Sequence, residues 1–116
     1  MSRHRANAAA NAALKRSAPT FAALGDTTRL RVVSRLSSEG PLSITQLTEG
    51  ADVTRQAVTK HLNVLASAGL VHDFRQGRER VWELNTGQLE EARQALDAIS
   101  KRWDAALERL RAMVEE

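Results

Sequence analysis

The pattern of apolar and polar positions is clearest in residues 52–70. Apolar side chains recur there at i, i+4, i+7 and i+8, the spacing of a helix that buries one stripe. They are Val58, Leu62, Leu65 and Ala66. The opposite face carries hydrogen-bond donors at Arg55, Gln56, Thr59, Lys60 and Asn63. No acid occurs between Val53 and Val71, which favours a surface held against phosphates and base edges over an ordinary solvated face.

The chain before this stretch predicts further helices. Residues 1–17 are alanine-rich and basic, and they form either a helix or a mobile arm. Pro19 is expected to begin a short new helix capped by Ser17. The next helix is capped by Asp26 or the following threonine and turns inward Leu30, Val33 and Leu36. Arg29 contacts phosphate or, as we favour, holds two helices together as an intrachain ion pair.

A helix-turn-helix follows. Ser43 and Gln46 have the spacing of a capping box and begin a short helix. A turn that contains Gly50 leads to Thr54, which caps the recognition helix, residues 54–68. Two helices joined by a short glycine-containing turn predict this motif, with the second helix as the reader.

After Gly69 the apolar period changes from helical to alternating. Residues 71–75 and 80–84 are predicted strands joined by a glycine-centred turn, so residues 71–84 form a hairpin, or wing. Its charges either contact a phosphate ridge or minor groove, or protect an exposed strand edge from aggregation. The flanking arginines favour DNA contact, at Arg75, Gln76, Arg78 and Arg80.

Residues 86–116 contain no proline and no glycine after Gly87, which predicts one long helix. Read in heptads, one seam position holds Leu89, Leu96, Trp103 and Leu110, and the other holds Ala92, Ile99, Ala106 and Met113. So small a domain cannot cover the whole stripe, so we expect the same helix of a second copy to cover it. The predicted dimer interface is Leu89, Leu96, Ile99, Trp103 and Leu110. The less favoured alternative places Trp103 in a ligand pocket.

Composition narrows the possible functions. The chain has 116 residues, only 3% of them aromatic, so a second copy would help to complete its core. The absence of cysteine excludes disulfides, thiolate metal sites and cysteine nucleophiles. No apolar run has the length of a membrane span or a secretory signal, so a cytoplasmic protein is expected.

The net charge of +3 is segregated along the chain. Residues 1–16 hold four bases and no acid, and residues 54–80 hold five bases against two acids. Residues 87–116 hold seven acids against five bases. Segregation of this kind fits a polyanionic partner, here double-stranded DNA.

These patterns predict a mainly α fold with a small β-hairpin: a winged helix-turn-helix with long N- and C-terminal dimerisation helices. Residues 1–17 form the N-terminal arm or helix, 18–85 the DNA-binding domain and 86–116 the C-terminal dimerisation helix. No glycine-rich phosphate loop or convergent Ser/His/Asp set indicates an enzyme.

Three blocks carry a family resemblance: FAALGDTTRLRVVSRL, TRQAVTKHLNVLASAGLV, and RQGRERVWEL followed by a long helix. They resemble the ArsR/SmtB-like winged-helix transcriptional repressors over residues 18 to about 112. The resemblance implies a homodimer on a pseudo-palindromic operator. It also implies base or phosphate contacts at Arg55, Gln56, Thr59 and Lys60. His61 matches a common family histidine, which either packs between helices or contacts phosphate.

The sequence departs from the family's metal sensors. Residues 42–46, LSITQ, lack the cysteines of one kind of site. The terminal helix contains no histidine for the other kind, and His4, His61 and His72 lie in unrelated elements. We therefore expect no metal and no cofactor, as in the cysteine-free, non-metal-sensing members. The sequence leaves open whether a small-molecule effector binds at the dimer interface.

The leading hypothesis is a dimeric, sequence-specific DNA-binding repressor without catalytic activity. Arg55 is the best candidate to recognise guanine O6 and N7. The alternative is a winged-helix protein-interaction module that has lost DNA binding. Acids on the reading face would favour that alternative, and the sequence has none there.

Overall fold

The computed structural model describes the backbone of residues 3–115 and the side chains of residues 8–115. The side chains of Arg3, His4 and Arg5, part of the predicted basic N-terminal segment, lie outside the described residues. The elements are α1 (Arg3–Leu24), α2 (Thr27–Glu39), β1 (Leu42–Ser43), α3 (Ile44–Thr48), α4 (Arg55–Ser67), β2 (Val71–Gln76), β3 (Glu79–Leu84) and α5 (Thr86–Glu115). This order confirms the winged helix-turn-helix between two long helices. Within residues 3–115, every helix is too short or too polar to cross a bilayer.

Helix α1 continues through Pro19, so the predicted new helix capped by Ser17 is wrong. A proline inside a helix removes one backbone hydrogen bond and costs about 3 kcal/mol. One side of α1 is nevertheless packed against the rest of the chain, because Ser17, Thr20 and Ala23 are buried while Pro19 is exposed. Helix α1 packs mainly against α5. Tertiary packing therefore overrides the local stop signal.

Helix α2 begins where the sequence predicts. Oδ2 of Asp26 accepts a hydrogen bond from the backbone N–H of Arg29 at 3.0 Å, as an N-cap does. The predicted inward face is wrong at Leu30, which is exposed, whereas Val32 and Leu36 are buried. The latter pair has the i, i+4 spacing of a single stripe, and Leu30 lies on another side of the helix.

The helix-turn-helix has its predicted caps. Ser43 and Gln46 form the complete capping box at the start of α3. Helix α4 starts after Thr54. The chain turns between the two helices at Gly50, whose φ of 71° is readily adopted by glycine.

Strands β2 and β3 form the wing, and β1 pairs with β3 to give a three-stranded antiparallel sheet in the order β1-β3-β2. Gln76 pairs with Glu79, so only Gly77 and Arg78 form the turn, which is shorter than predicted. Strand β1 was not predicted. It contains two residues, with Leu42 paired to Trp82, and so short a strand leaves no alternating pattern.

One core joins the helix-turn-helix to the wing. The buried residues include Val32, Leu36, Leu42, Leu47, Val58, Leu62, Leu65, Leu70, Val71 and Trp82. Leu62 and Leu65 of α4 are fully buried, and truncating such a leucine to alanine typically costs about 2–5 kcal/mol. This packing fixes which face of α4 points to solvent.

Candidate nucleic-acid interface

Helix α4 presents the candidate interface because its sequence sets both its start and its buried side. Oγ1 of Thr54 accepts a hydrogen bond from the backbone N–H of Ala57 at 3.1 Å. Val58, Leu62 and Leu65 are buried in the core. With this stripe inward, the 3.6-residue period turns the polar residues outward.

An open concave surface of about 560 Å³ lies along the outward side of α4. Its lining residues are Arg55, Gln56, Thr59 and Lys60. Asn63 is exposed one turn beyond Thr59 and extends the same row. The five residues predicted from the helical period therefore occupy one side of one helix.

Arg55 also links α4 to the preceding helix. Its Nη1 donates a hydrogen bond to Oγ1 of Thr45 at 3.3 Å. Oγ1 of Thr59 donates to the carbonyl oxygen of Arg55 at 2.9 Å. A guanidinium carries five N–H donors, so the bond to Thr45 leaves donors for a base or a phosphate. Thr45 was not identified from the sequence, although its place inside the capping box could have suggested an exposed hydroxyl.

The wing carries its cations in two different settings. Arg75 and Arg80 lie directly opposite each other on β2 and β3, an arrangement that is unfavourable for like charges. Asp73 relieves it by forming a salt bridge with Arg80. Arg78 occupies the turn beside Gly77, whose φ is 66°. The tip of the wing therefore presents Arg78, with Gln76 exposed next to it.

A second cavity, of about 300 Å³, joins the wing to the helix-turn-helix. It is lined by Ser43, Ile44, Thr45, Arg55, Arg78, Glu79 and Arg80. Three arginines from two distant parts of the chain thus meet around one space, together with two hydroxyl groups and the carboxylate of Glu79. With three guanidinium groups against one carboxylate, the lining is net positive, which favours an anion. The sequence did not predict this convergence.

Several cations of the candidate interface have no acidic partner. Among the described side chains, no carboxylate lies within 4 Å of the charged groups of Lys60, Arg75 or Arg78. A charge that is not neutralised within the protein is available to a phosphate.

The described residues contain no group of three or more His, Asp or Glu side chains with the geometry of a metal site. His61 contacts Arg29, and Nε2 of His72 lies 2.8 Å from Oε1 of Glu83. The two histidines therefore have separate partners on separate elements.

The predicted dimer interface divides into two parts. Leu89 is partly buried against the core and Ala92 is buried, so the first turns of α5 pack within the chain. Beyond them, Leu96, Trp103 and Leu110 are exposed, with Trp103 64% accessible. An open hollow of about 310 Å³ beside Trp103 is lined by Ile99, Arg102, Trp103 and Ala106. The outer half of α5 therefore carries an uncovered apolar stripe.

The chain is similar to known helix-turn-helix proteins. Residues 24–73 match the family model described as a helix-turn-helix domain. The chain is 41% identical over 75 residues to YuzN of Bacillus subtilis, an uncharacterised HTH-type transcriptional regulator, covering 60% of this chain and 82% of that protein. It is 41% identical over 85 residues to the HTH-type transcriptional regulator Rv2034 of Mycobacterium tuberculosis, covering 73% and 76%.

A solved structure extends the likeness beyond the helix-turn-helix. An ArsR-like transcriptional regulator from Rhodococcus sp. RHA1 superposes with a TM-score of 0.71 at 32% identity. The superposition covers 86% of this chain and 93% of that one.

Proposed function

We infer that this chain, which belongs to the ArsR-like family of helix-turn-helix transcriptional regulators, is a homodimeric repressor that binds a pseudo-palindromic DNA operator. One observation carries the proposal: Arg55, Gln56, Thr59 and Lys60 line a single open surface on the outward side of α4. These residues suit base edges and phosphates. The protein would act on double-stranded DNA in the cytoplasm, without catalysis and without a metal or organic cofactor.

The arrangement supports two separate roles: one set of residues recognises bases, and another binds a backbone phosphate. Gln56, Thr59, Lys60 and Asn63 lie along the outward face of α4 and would enter the major groove. The cavity between α4 and the wing, with Arg55, Arg78 and Arg80 around it, would hold a backbone phosphate. Arg55 lines both spaces, so it is the residue that could serve in either role.

The exposed stripe on α5 supports the dimer. Trp103 and Leu110 are largely accessible in the single chain, and large exposed apolar surface on a small protein usually marks an interface. A second copy of α5 carries the same stripe, so a two-fold arrangement would cover both. We assign the hollow at Trp103 to this second helix rather than to a small-molecule effector.

Footprinting of the DNA upstream of the protein's own gene tests the proposal. The expected result is protection of two related half-sites about one helical turn, roughly 34–36 Å, apart. A protected tract without two related half-sites would contradict binding by a two-fold symmetric dimer. Equal, weak binding to all DNA by a folded dimer would favour the protein-interaction alternative.

A further inference from the structure

Arg29 connects three parts of the fold behind the recognition helix. Its Nε donates a hydrogen bond to the carbonyl oxygen of Ala23, in the last turn of α1, at 2.5 Å. Its Nη1 lies 3.3 Å from Nδ1 of His61 on α4. Its backbone N–H donates to the N-cap carboxylate of Asp26 at 3.0 Å. One side chain therefore reaches from the end of α1 to the middle of α4.

In the contact between Arg29 and His61, the chemistry of the two side chains determines which atom donates the hydrogen bond. A guanidinium has only donors, so Nδ1 of His61 must accept the hydrogen bond from Arg29. Oδ2 of Asp26 lies 3.8 Å from the same nitrogen. The backbone hydrogen bond from Arg29 is the main cause that holds the pKa of Asp26 below its ordinary value, and desolvation opposes it. The carboxylate is thus fixed beside both partners.

This contact differs in kind from the packing around it. Val58, Leu62 and Leu65 hold α4 through apolar burial, which is non-directional. A hydrogen bond is directional. His61 follows Lys60 directly in the chain, so a rotation that moves His61 also moves the reading side chains. Through Arg29, His61 is linked to the end of α1.

We propose that Asp26, Arg29 and His61 are positioning residues that fix the orientation of the recognition helix against α1. The inference rests on the proposed function, in which α4 reads DNA and α1 packs against the dimerisation helix α5. A change at the α1–α5 helix pair would then reach the DNA surface through the carbonyl of Ala23, the guanidinium of Arg29 and the ring of His61. The sequence predicted that Arg29 holds two helices together as an intrachain ion pair; the side chain does link helices, but its partners are a backbone carbonyl and an imidazole rather than a carboxylate.

The test uses two substitutions at His61 in the full chain. His61→Leu fills similar space without an acceptor, whereas His61→Asn places an amide oxygen near the position of Nδ1. Because the recognition helix would no longer be held in its binding orientation, His61→Leu should weaken operator binding about tenfold, which corresponds to about 1.4 kcal/mol. Binding to random duplexes should change little, and His61→Asn should restore most of the operator affinity. Arg29→Lys should resemble His61→Leu, because an ammonium lacks the planar, extended fork with which the guanidinium spans both acceptors.

A double-mutant cycle and hydrogen exchange complete the test. If the two side chains act through their contact, Arg29→Lys and His61→Leu combined should cost no more than either alone. In the DNA-free protein, both single variants should accelerate amide exchange in α4, and His61→Asn should not. If His61→Leu binds the operator and random duplexes as the wild type does, and its amide exchange is unchanged, this inference is overturned while the proposed function stands. Absence of any operator preference in the wild type would count against the proposed function, and the exchange measurement would still decide the inference.

Discussion

Arg80 and Asp73 form a salt bridge across the wing, with 2.5 Å between Nε of Arg80 and Oδ2 of Asp73. The guanidinium of Arg80 also lies over the ring of Trp82, 4.7 Å from its centroid. Both contacts hold Arg80 against the sheet. We therefore expect Arg80 to maintain the shape of the wing and Arg78, at the turn, to make the stronger contact with DNA.

The salt bridge predicts a dependence of stability on pH. The hydrogen bond from Arg80 holds the pKa of Asp73 below its ordinary value of 3.8. A carboxylate with a lowered folded-state pKa stabilises the protein above its unfolded pKa, and this contribution is lost as pH falls through the folded pKa. Asp73→Asn should therefore reduce the decline in unfolding free energy below about pH 4. Urea unfolding followed by tryptophan fluorescence at several pH values measures this.

Asp104→Asn is the matched control, because Asp104 is exposed on α5 and forms no salt bridge among the described side chains. Its pH profile should follow the wild type. Identical profiles for all three proteins would show that the Asp73–Arg80 pair does not contribute to acid sensitivity.

Removing the cation at the wing tip should change the salt dependence of DNA binding. Arg78→Ala should weaken binding to all sequences alike and reduce the slope of log affinity against log salt concentration by about one unit. Fluorescence anisotropy between low and moderate salt measures the slope. Lys101→Ala, on the opposite side of α5 from the predicted seam, should leave it unchanged. A slope unaffected by Arg78→Ala would remove the wing tip from the interface.

The role of Arg55 in DNA binding can be determined by comparing the effect of its substitution on affinity for operator and random duplexes. If it contacts guanine, Arg55→Ala should lower operator affinity by about 1–3 kcal/mol more than random-duplex affinity. Equal losses would make Arg55 a phosphate anchor in the cavity that it shares with Arg78. Thr45→Val is the informative companion, because it removes only the hydroxyl that holds Arg55. Thr45→Val should lower DNA affinity in the same pattern as Arg55→Ala, but by less.

The α5 stripe should control assembly. Trp103→Glu places a charge in the predicted seam, so it should convert the dimer to monomer and weaken operator binding by more than about tenfold, since a single half-site remains. Sedimentation equilibrium and anisotropy measure the two effects. Lys101→Glu introduces the same carboxylate outside the seam and should stay dimeric. A dimeric Trp103→Glu would place the subunit contact elsewhere.

The hydrogen bond that caps the recognition helix should make a measurable contribution to the free energy of unfolding. Thr54→Ala removes the acceptor for the Ala57 N–H and should lower the free energy of unfolding by about 1 kcal/mol. Thr54→Ser keeps a hydroxyl oxygen at the cap and should lose much less. Urea unfolding of the three proteins tests this. Equal stability of Thr54→Ala and wild type would mean that core packing alone determines where α4 starts.

The elements that the sequence predicted correctly depend on neighbours a few residues away. The cap at Asp26, the Ser43–Gln46 capping box and the buried stripe of α4 follow from local hydrogen bonds and the helical period. The wing turn at Gly77 follows from a backbone angle that glycine adopts readily. The outward row from Arg55 to Asn63 follows in turn, because burying one face of a helix exposes the other.

What the sequence missed depends on residues far apart in the chain. Helix α1 continues through Pro19 because packing, mainly against α5, compensates for the lost hydrogen bond. Strand β1 exists because Leu42 meets Trp82 across the sheet. The convergence of Arg55 with Arg78, and the reach of Arg29 to His61, likewise require a particular docking of helices. The sequence by itself therefore determined most of the elements, their caps and the residues on the outward face of α4. The tertiary structure decided which of those residues act together, because side-chain contacts between distant segments depend on how the whole core packs.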